Sequence, residues 1–136
     1  MSCEYSIYPE HSLIIEHFSG HTTREEFENM CHELWQEPEY HNQMNVMMDF
    51  RKSEMLYSAE DIKELSMFFK TAPSATKGRG AVLVSSPRET ALADLFTLEM
   101  ASNNLVRTFT TWPAACSFLG VPDLPEATSG SSPGNG

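Results

Sequence analysis

Polar side chains follow two of the apolar segments that read as buried strands. The first segment, residues 45–50, contains Asp49 near its end and is followed by Arg51 and Lys52. The second, residues 81–84, is followed by a Ser-Ser-Pro-Arg run. Ligands of open parallel sheets bind beyond the carboxyl ends of the strands, so we expect these side chains to meet at one edge of a sheet. The residues predicted to form this ligand or partner edge are Asp49, Arg51, Tyr57, Ser85, Ser86 and Arg88.

The chemistry available at this edge is that of a carboxylate and a guanidinium group. Asp49 could act as a base and Arg88 could hold an anion, but no nucleophile stands beside a recognisable partner. Ser85 and Ser86 lack the G-x-S-x-G context of a nucleophile elbow. The Gly-Arg-Gly run at residues 78–80 precedes a strand instead of linking a strand to a helix, so it does not fit a phosphate loop. We therefore expect a protein that is not an enzyme.

Cysteine and histidine are poorly placed for a metal site. The three cysteines, Cys3, Cys31 and Cys116, are widely spaced and include no C-x-x-C pair. The five histidines crowd into the first third of the chain, but none forms an H-x-x-x-H pair on a predicted helix. The sequence thus predicts no metal, no cofactor and no disulfide framework.

The order of the apolar segments predicts the fold class. Strand-like segments occur at residues 5–8, 13–18, 45–50, 81–84 and 105–109. The first two are joined by a short connection and should pair antiparallel, whereas an amphipathic segment follows each of the others and implies parallel crossovers. We expect an α/β fold in which a single-layer mixed five-stranded sheet, in the order β-β-α-β-α-β-α-β-α, is covered by helices.

Polarity separates the predicted strands into two kinds. Residues 45–50 and 81–84 are continuously apolar, which indicates burial on both faces. Residues 13–18 include Glu16 and His17, which favours a strand at the edge of the sheet. A turn is expected at Phe18-Ser-Gly20, leading into the first helix.

The second predicted helix carries two features of interest. Ser58 precedes it and has Asp61 three residues later, a pattern in which the hydroxyl caps the helix and the acid returns to the cap. Met67 and Phe68 lie beside its main apolar stripe and make the apolar arc wider than one buried face needs. Since exposed apolar patches mark interfaces, Met67 and Phe68 are predicted to form a homodimer or partner contact.

The length and net charge of the chain limit its possible domain organisation and its possible partners. The 136 residues fit one domain at residues 1–122, followed at residues 123–136 by a Gly/Ser/Pro-rich tail that is expected to be disordered. The net charge is −10, and residues 1–64 hold fourteen acids against four Lys and Arg, which opposes binding to nucleic acid or anionic membranes. No apolar run suits a membrane helix, and the first residues lack the features of a secretory signal, so a cytoplasmic protein is expected.

The chain resembles the STAS domain family, the fold of bacterial anti-sigma-factor antagonists, and within it the SpoIIAA-like branch, whose description overlaps with that of SEC14-like lipid-binding domains. The resemblance spans about residues 4–121. It rests on Tyr5-Ser-Ile-Tyr-Pro-Glu10, Thr22-Thr-Arg-Glu-Glu-Phe27, Asn45-Val-Met-Met-Asp-Phe50 and Tyr57-Ser-Ala-Glu-Asp-Ile62, together with the element order. It implies a serine at the start of the second helix that a partner kinase phosphorylates, and Ser58 matches that serine. The family's Asp-Ser-Ser-Gly motif is altered here, with Tyr57 for the aspartate and Glu60 for the glycine.

Two functions from different classes follow. The first is a noncatalytic interaction module of a bacterial regulatory system, which binds a regulatory protein or a second copy of itself. The second is a carrier or sensor of a small apolar ligand or lipid, with adaptable walls at Met55, Leu56, Met67, Phe68 and Phe69. Under either function, Ser58 is a helix cap or a phosphorylated switch.

Overall fold

A computed structural model describes residues 3–101, 105–122 and 124. Within these residues the chain forms five strands, with a short 3₁₀ turn (Pro9–His11) between the first two. The strands are β1 (Cys3–Tyr8), β2 (Leu13–Thr22), β3 (Asn45–Met55), β4 (Gly80–Leu83) and β5 (Val106–Phe109). The α-helices within the same residues are α1 (Arg24–Leu34), α2 (Ala59–Thr71), α3 (Pro87–Glu99) and α4 (Trp112–Leu119).

The strands form one mixed sheet in the order β1-β2-β3-β4-β5. β1 pairs with β2 antiparallel, and β2, β3, β4 and β5 pair in parallel. The predicted element order and strand directions are therefore confirmed. The short connection between β1 and β2 permits only a hairpin, whereas a parallel neighbour needs a helical crossover.

Two expectations about β2 were wrong. β2 lies between β1 and β3 and is not an edge strand, because its hairpin partner β1 covers its outer side. The turn expected at Phe18-Ser-Gly20 is absent, since β2 continues to Thr22 and pairs with β3 as far as Met55. A register shift between His17 and Ser19 marks a bulge in this pairing, and beyond it the two strands extend past the end of β4.

The two faces of the sheet are covered unequally. α1, α2 and α3 lie on the same face of the sheet, where they bury the larger core cluster. This is the arrangement expected when successive crossovers between sequential strands have the same hand. That cluster includes Ile14, Phe18, Val46, Met48 and Phe50 from the sheet. The alternate strand residues face α4 and form a second cluster, which includes Leu13, Ile15, Met47, Ala81, Leu83 and Trp112. This alternation follows from the two-residue period of a strand.

Helix boundaries agree with the capping residues in the sequence. Thr23 and Ser58 each form a capping box at the starts of α1 and α2, and Ser86 accepts a hydrogen bond from the Glu89 amide at the start of α3. α4 ends at Gly120, whose φ of 71° is a left-handed conformation that glycine adopts without strain.

Of the predicted tail, only Leu124 falls within the described part of the chain. Its carbonyl oxygen accepts a 2.9 Å hydrogen bond from Trp112 Nε1, and it packs against the second core cluster. Residues 123 and 125–136 lie outside the described residues. None of the helices that the structure describes is long and apolar enough to span a membrane.

Candidate functional site

The predicted edge divides into two clusters of side chains. In the first, Arg51 Nε lies 3.0 Å from Asp49 Oδ1 and Arg51 Nη2 lies 3.0 Å from Asp49 Oδ2, a two-point ion pair on β3. The Arg51 amide donates to Asp49 Oδ1 at 3.1 Å. Ser85 joins this cluster, because its hydroxyl donates to the Arg51 carbonyl oxygen at 3.2 Å. The structure thus brings Asp49, Arg51 and Ser85 together.

The charge of Asp49 is held in place by its neighbours. Burial alone would raise the pKa of Asp49, but contacts with His17 and Arg51 outweigh burial and hold this pKa well below its usual range. His17 Nδ1 lies 3.7 Å from Asp49 Oδ2, and the Arg51 guanidinium lies 5.7 Å from the Trp112 ring centroid. A carboxylate this acidic is a poor base, so Asp49 serves to position Arg51 against α4.

The second cluster joins the end of β3 to the start of α3. The buried Glu89 carboxylate accepts a 3.1 Å hydrogen bond from the Met55 amide and a further one from the Ser86 hydroxyl. Arg88 Nη1 donates to the Met55 carbonyl oxygen at 2.6 Å and to Glu89 Oε2 at 3.0 Å. Ser86 and Arg88 therefore help to hold the end of β3 against the start of α3. Because Arg88 is paired with Glu89, the positive charge that would bind an anion is neutralised.

Tyr57 and Ser58 lie apart from both clusters. Tyr57 is buried in the larger core, and burial raises the pKa of its hydroxyl. Ser58 is exposed at the start of α2, where its Oγ accepts from the Asp61 amide at 3.0 Å and its own amide donates to Asp61 Oδ2 at 3.0 Å. Ser58 thus caps α2, and its phosphorylation remains a prediction.

Two substitutions of Ser58 distinguish the loss of the helix cap from the addition of a negative charge. Ser58→Ala should lower the free energy of unfolding by about 0.5 to 2 kcal/mol, whereas Ser58→Asp should retain most of it, because aspartate caps as well as serine. Urea unfolding of both variants, with the exposed Ser74→Ala as a control, measures the difference. An unchanged stability of Ser58→Ala would contradict the capping role, and an equal loss in both variants would indicate that repulsion from Glu60 and Asp61 offsets the aspartate cap.

The outer surface of α1 and α2 carries a group of aromatic rings. The Trp35 and Phe68 rings stack with centroids 5.4 Å apart and an interplanar angle of 18°. His32 meets both rings edge-on, at 5.7 Å from Trp35 and 5.4 Å from Phe68. We call His32, Trp35 and Phe68 the aromatic surface cluster. In the wide apolar arc of α2, Phe68 therefore packs against His32 and Trp35, whereas the adjacent Met67 is 56% exposed to solvent.

The apolar side chains predicted as walls of a ligand site do not gather around one space. Met55 is buried, Leu56 is 43% exposed and Met67 is 56% exposed, whereas the half-buried Phe69 contacts Phe27 of α1 and Phe96 of α3. A group of residues that shares only Phe69 with the predicted walls encloses a cavity between the sheet and the three helices on its larger-core side. We call this cavity the Glu16 chamber; its lining includes Ile14, Glu16, Cys31, Leu34, Trp35, Tyr40, Val46, Met48, Phe69, Thr76, Gly80, Phe96, Met100 and Val106.

The Glu16 chamber lies at the end of the sheet opposite the predicted edge. Gly80 and Val106 are the first residues of β4 and β5, and Trp35 and Met100 end α1 and α3. The cavity volume is about 30 Å³. A water molecule needs roughly 10 to 15 Å³ on this measure, so the chamber has room for about two.

Glu16 is the acidic residue in a chamber lining that is otherwise mostly apolar. Its side chain is almost fully buried, at 3% exposure, and its Oε1 atom has no hydrogen-bond partner among the described residues. Burial raises the pKa of Glu16 to about 8, so the carboxyl group is mostly neutral at pH 7. A carboxyl oxygen without a partner among the described residues, placed in an apolar chamber, is an arrangement typical of functional sites.

Glu16 was not among the predicted functional residues, although its sequence neighbours carried a signal. Ile14, Glu16 and Phe18 alternate along β2 and share the face that meets the larger core. An acid between two large apolar residues on one face can indicate either an exposed edge or a buried carboxyl group. The choice depends on the helices that cover the face, which come from distant parts of the chain.

A mixed five-stranded sheet with three helices on one face and one on the other defines an α/β domain of the SpoIIAA-like fold. The structure is similar to that of an uncharacterized protein of the DUF3478 family with a SpoIIAA-like fold, from Shewanella loihica PV-4. The TM-score is 0.56 and the identity 14%, over 86% of this chain and 91% of that chain. No family model and no curated protein matches the sequence. The predicted resemblance is thus confirmed for the fold.

Proposed function

We propose that this chain is a noncatalytic interaction module of a bacterial regulatory system, which binds a protein partner through the outer surface of α1 and α2. The observation that carries the proposal is the aromatic surface cluster with exposed Met67 beside it. Tryptophan, other aromatic residues and methionine are enriched at protein interfaces. The resemblance to anti-sigma-factor antagonists favours the same class of function.

Charge around this surface favours one kind of partner. α1 and α2 together hold seven Asp and Glu against three Lys and Arg. Two copies of such a surface would repel each other, whereas a partner with basic residues around an apolar centre would be attracted. The proposed partner is therefore a different protein with a basic rim, and not a second copy of this chain.

The hydroxyl groups nearest the predicted edge have structural roles that support a noncatalytic module. Ser58 and Ser86 cap α2 and α3, and Ser85 binds the Arg51 carbonyl oxygen. The Ser86 hydroxyl donates to the Glu89 carboxylate, but Glu89 also accepts from the Met55 amide and Arg88. Although burial would raise the pKa of Glu89, these hydrogen bonds hold it below its usual range, which makes Glu89 a poor general base for a nucleophilic hydroxyl.

Partner binding can be tested with matched substitutions on two helices. The protein and its variants are immobilised, and proteins retained from the native host lysate are identified by mass spectrometry. Met67→Glu should abolish retention of a specific partner, because it places an acid at the centre of the proposed contact. Leu98→Glu is the control, since Leu98 is 72% exposed on α3 and receives the same substitution.

The outcomes distinguish the proposal from its alternatives. A partner lost only in Met67→Glu, and lost from the wild type as salt is raised, supports an acidic contact surface. Equal retention by the wild type and Met67→Glu would contradict it. A dimer of the purified protein that Met67→Glu dissociates in sedimentation velocity would show that the surface binds a second copy instead.

A further inference from the structure

The unpaired Glu16 oxygen needs a partner that the described protein atoms do not supply. A buried polar atom without a hydrogen bond is destabilising, and water or a ligand group satisfies most such atoms. The Glu16 chamber provides the space, because the cavity of about 30 Å³ is lined by Glu16 itself. The chamber therefore has space for a polar group, from water or from a ligand, beside the Glu16 oxygen.

The lining indicates the rest of the bound molecule. Apart from Glu16, the sheet contributes apolar walls at Ile14, Val46, Met48 and Val106. Unbranched methionine side chains such as Met48 adapt readily to a new occupant. A molecule that fills the chamber must therefore be mainly apolar.

The rim of the chamber is its adaptable part. Trp35, Tyr40, Phe69 and Thr76 are each partly exposed, in contrast to the fully buried strand residues below them. Tyr40 and Thr76 are held by hydrogen bonds to the carbonyl oxygens of Ser74 and Met44. Ring contacts with Phe68 hold Trp35 and Phe69 instead, and a larger occupant would have to displace these two side chains.

We propose that the Glu16 chamber binds a small, uncharged, mainly apolar molecule with one hydroxyl group, which pairs with the Glu16 carboxyl group. A neutral carboxyl group both donates and accepts a hydrogen bond, and a hydroxyl group does the same, so each satisfies the other. A cation would have to lose its water in a largely apolar space, which opposes binding. The cavity of about 30 Å³ is smaller than the roughly 150 Å³ that hold one benzene ring, so a molecule with one aromatic ring enters only when the rim side chains move.

Three probes with the same ring test the pairing. Benzyl alcohol, toluene and the benzylammonium ion are titrated separately into the full chain at about pH 6.5, where Glu16 stays protonated, and the methyl signals of Met48 and Met100 are followed by NMR. Benzyl alcohol should give saturable shifts and bind about tenfold more tightly than toluene, because toluene leaves Glu16 unpaired.

Substitutions of chamber residues test whether the probes bind in the Glu16 chamber. Glu16→Leu should remove the advantage of benzyl alcohol over toluene, and Glu16→Gln should keep it, because an amide also donates and accepts. Gly80→Ala should weaken both probes, since the added methyl group would lie 3.4 Å from Met48 Cε and 3.5 Å from Val106 Cγ2, inside the chamber and without a clash. Met67→Glu, on the proposed partner surface, should leave both affinities unchanged.

Several results would overturn the proposal. Absence of saturable shifts with benzyl alcohol in the wild type would mean that the chamber holds only water. Equal affinity for benzyl alcohol and toluene would remove the role of the hydroxyl group, and tighter binding of benzylammonium would assign the site to cations. If Glu16→Leu fails to fold, the comparison of Gly80→Ala with the wild type still decides whether the probes enter the chamber.

Discussion

The free energy of unfolding should fall as the pH rises from about 5 to about 8, by up to about 1.4 kcal/mol per pH unit, and Glu16→Gln should remove most of this decline. Burial raises the pKa of Glu16 from 4.5 to about 8 in the folded protein. Below pH 4.5 the carboxyl group is protonated in both states. Between the two pKa values only the unfolded state releases the proton, so unfolding becomes more favourable with each pH unit. Above about pH 8 both states are ionised and the decline ends.

Urea unfolding at several pH values measures this effect. Asp49, Asp61 and Glu89 have lowered pKa values, so their contributions to stability are lost only as the pH falls below the ordinary carboxyl range, outside this window. Glu64→Gln is the matched control, because Glu64 is an exposed glutamate on α2. If Glu16→Gln and Glu64→Gln show the same pH dependence as the wild type, Glu16 is ionised in the folded protein and the prediction is wrong.

Glu89→Ala should lower the free energy of unfolding by about 3 kcal/mol, because several hydrogen bonds to one buried carboxylate are lost together. Glu89 accepts from the Met55 amide at 3.1 Å, from Arg88 and from the Ser86 hydroxyl. Without Glu89, the buried amide of Met55 has lost its acceptor, and the end of β3 is no longer tied to the start of α3. Glu89→Gln should lose less, since its amide oxygen can still accept from Met55.

Urea unfolding and hydrogen exchange together test this role. Asp94→Ala removes an exposed acid from the same helix and should change stability little. The Met55 amide should exchange faster with solvent in Glu89→Ala than in Asp94→Ala, because its hydrogen bond is specifically broken. Equal stability of the two variants, or an unchanged exchange rate at Met55, would show that the Glu89 contacts are not needed.

Local signals determined much of the fold. The element order, the β1–β2 hairpin and the parallel pairing of the other strands were predicted correctly, because apolar periodicity and connection length act over a few residues. The helix starts at Thr23, Ser58 and Ser86 were also predictable, since a cap and its acid lie three residues apart.

The position of each candidate site residue was less predictable. Asp49, Arg51 and Ser85 meet as neighbours at one sheet edge, which strand direction alone implies. Tyr57 comes from the same predicted edge but is buried in the core. The exposed Leu56 and buried Tyr57 are adjacent in sequence, and only the packing of β3 and α2 decides which of them faces inward.

Glu16 shows most clearly which structural features the local sequence predicts and which depend on tertiary packing. Because strand residues alternate, the local sequence already places Ile14, Glu16 and Phe18 on one face of β2. Burial of this face follows only from the packing of the whole chain, since the residues that enclose Glu16 come from α1, α2 and α3 and from strands more than sixty positions away, such as Gly80 and Val106. Burial of a carboxyl group, and with it the pKa of Glu16, depends on all of these contacts at once, and no short segment of the sequence carries that information.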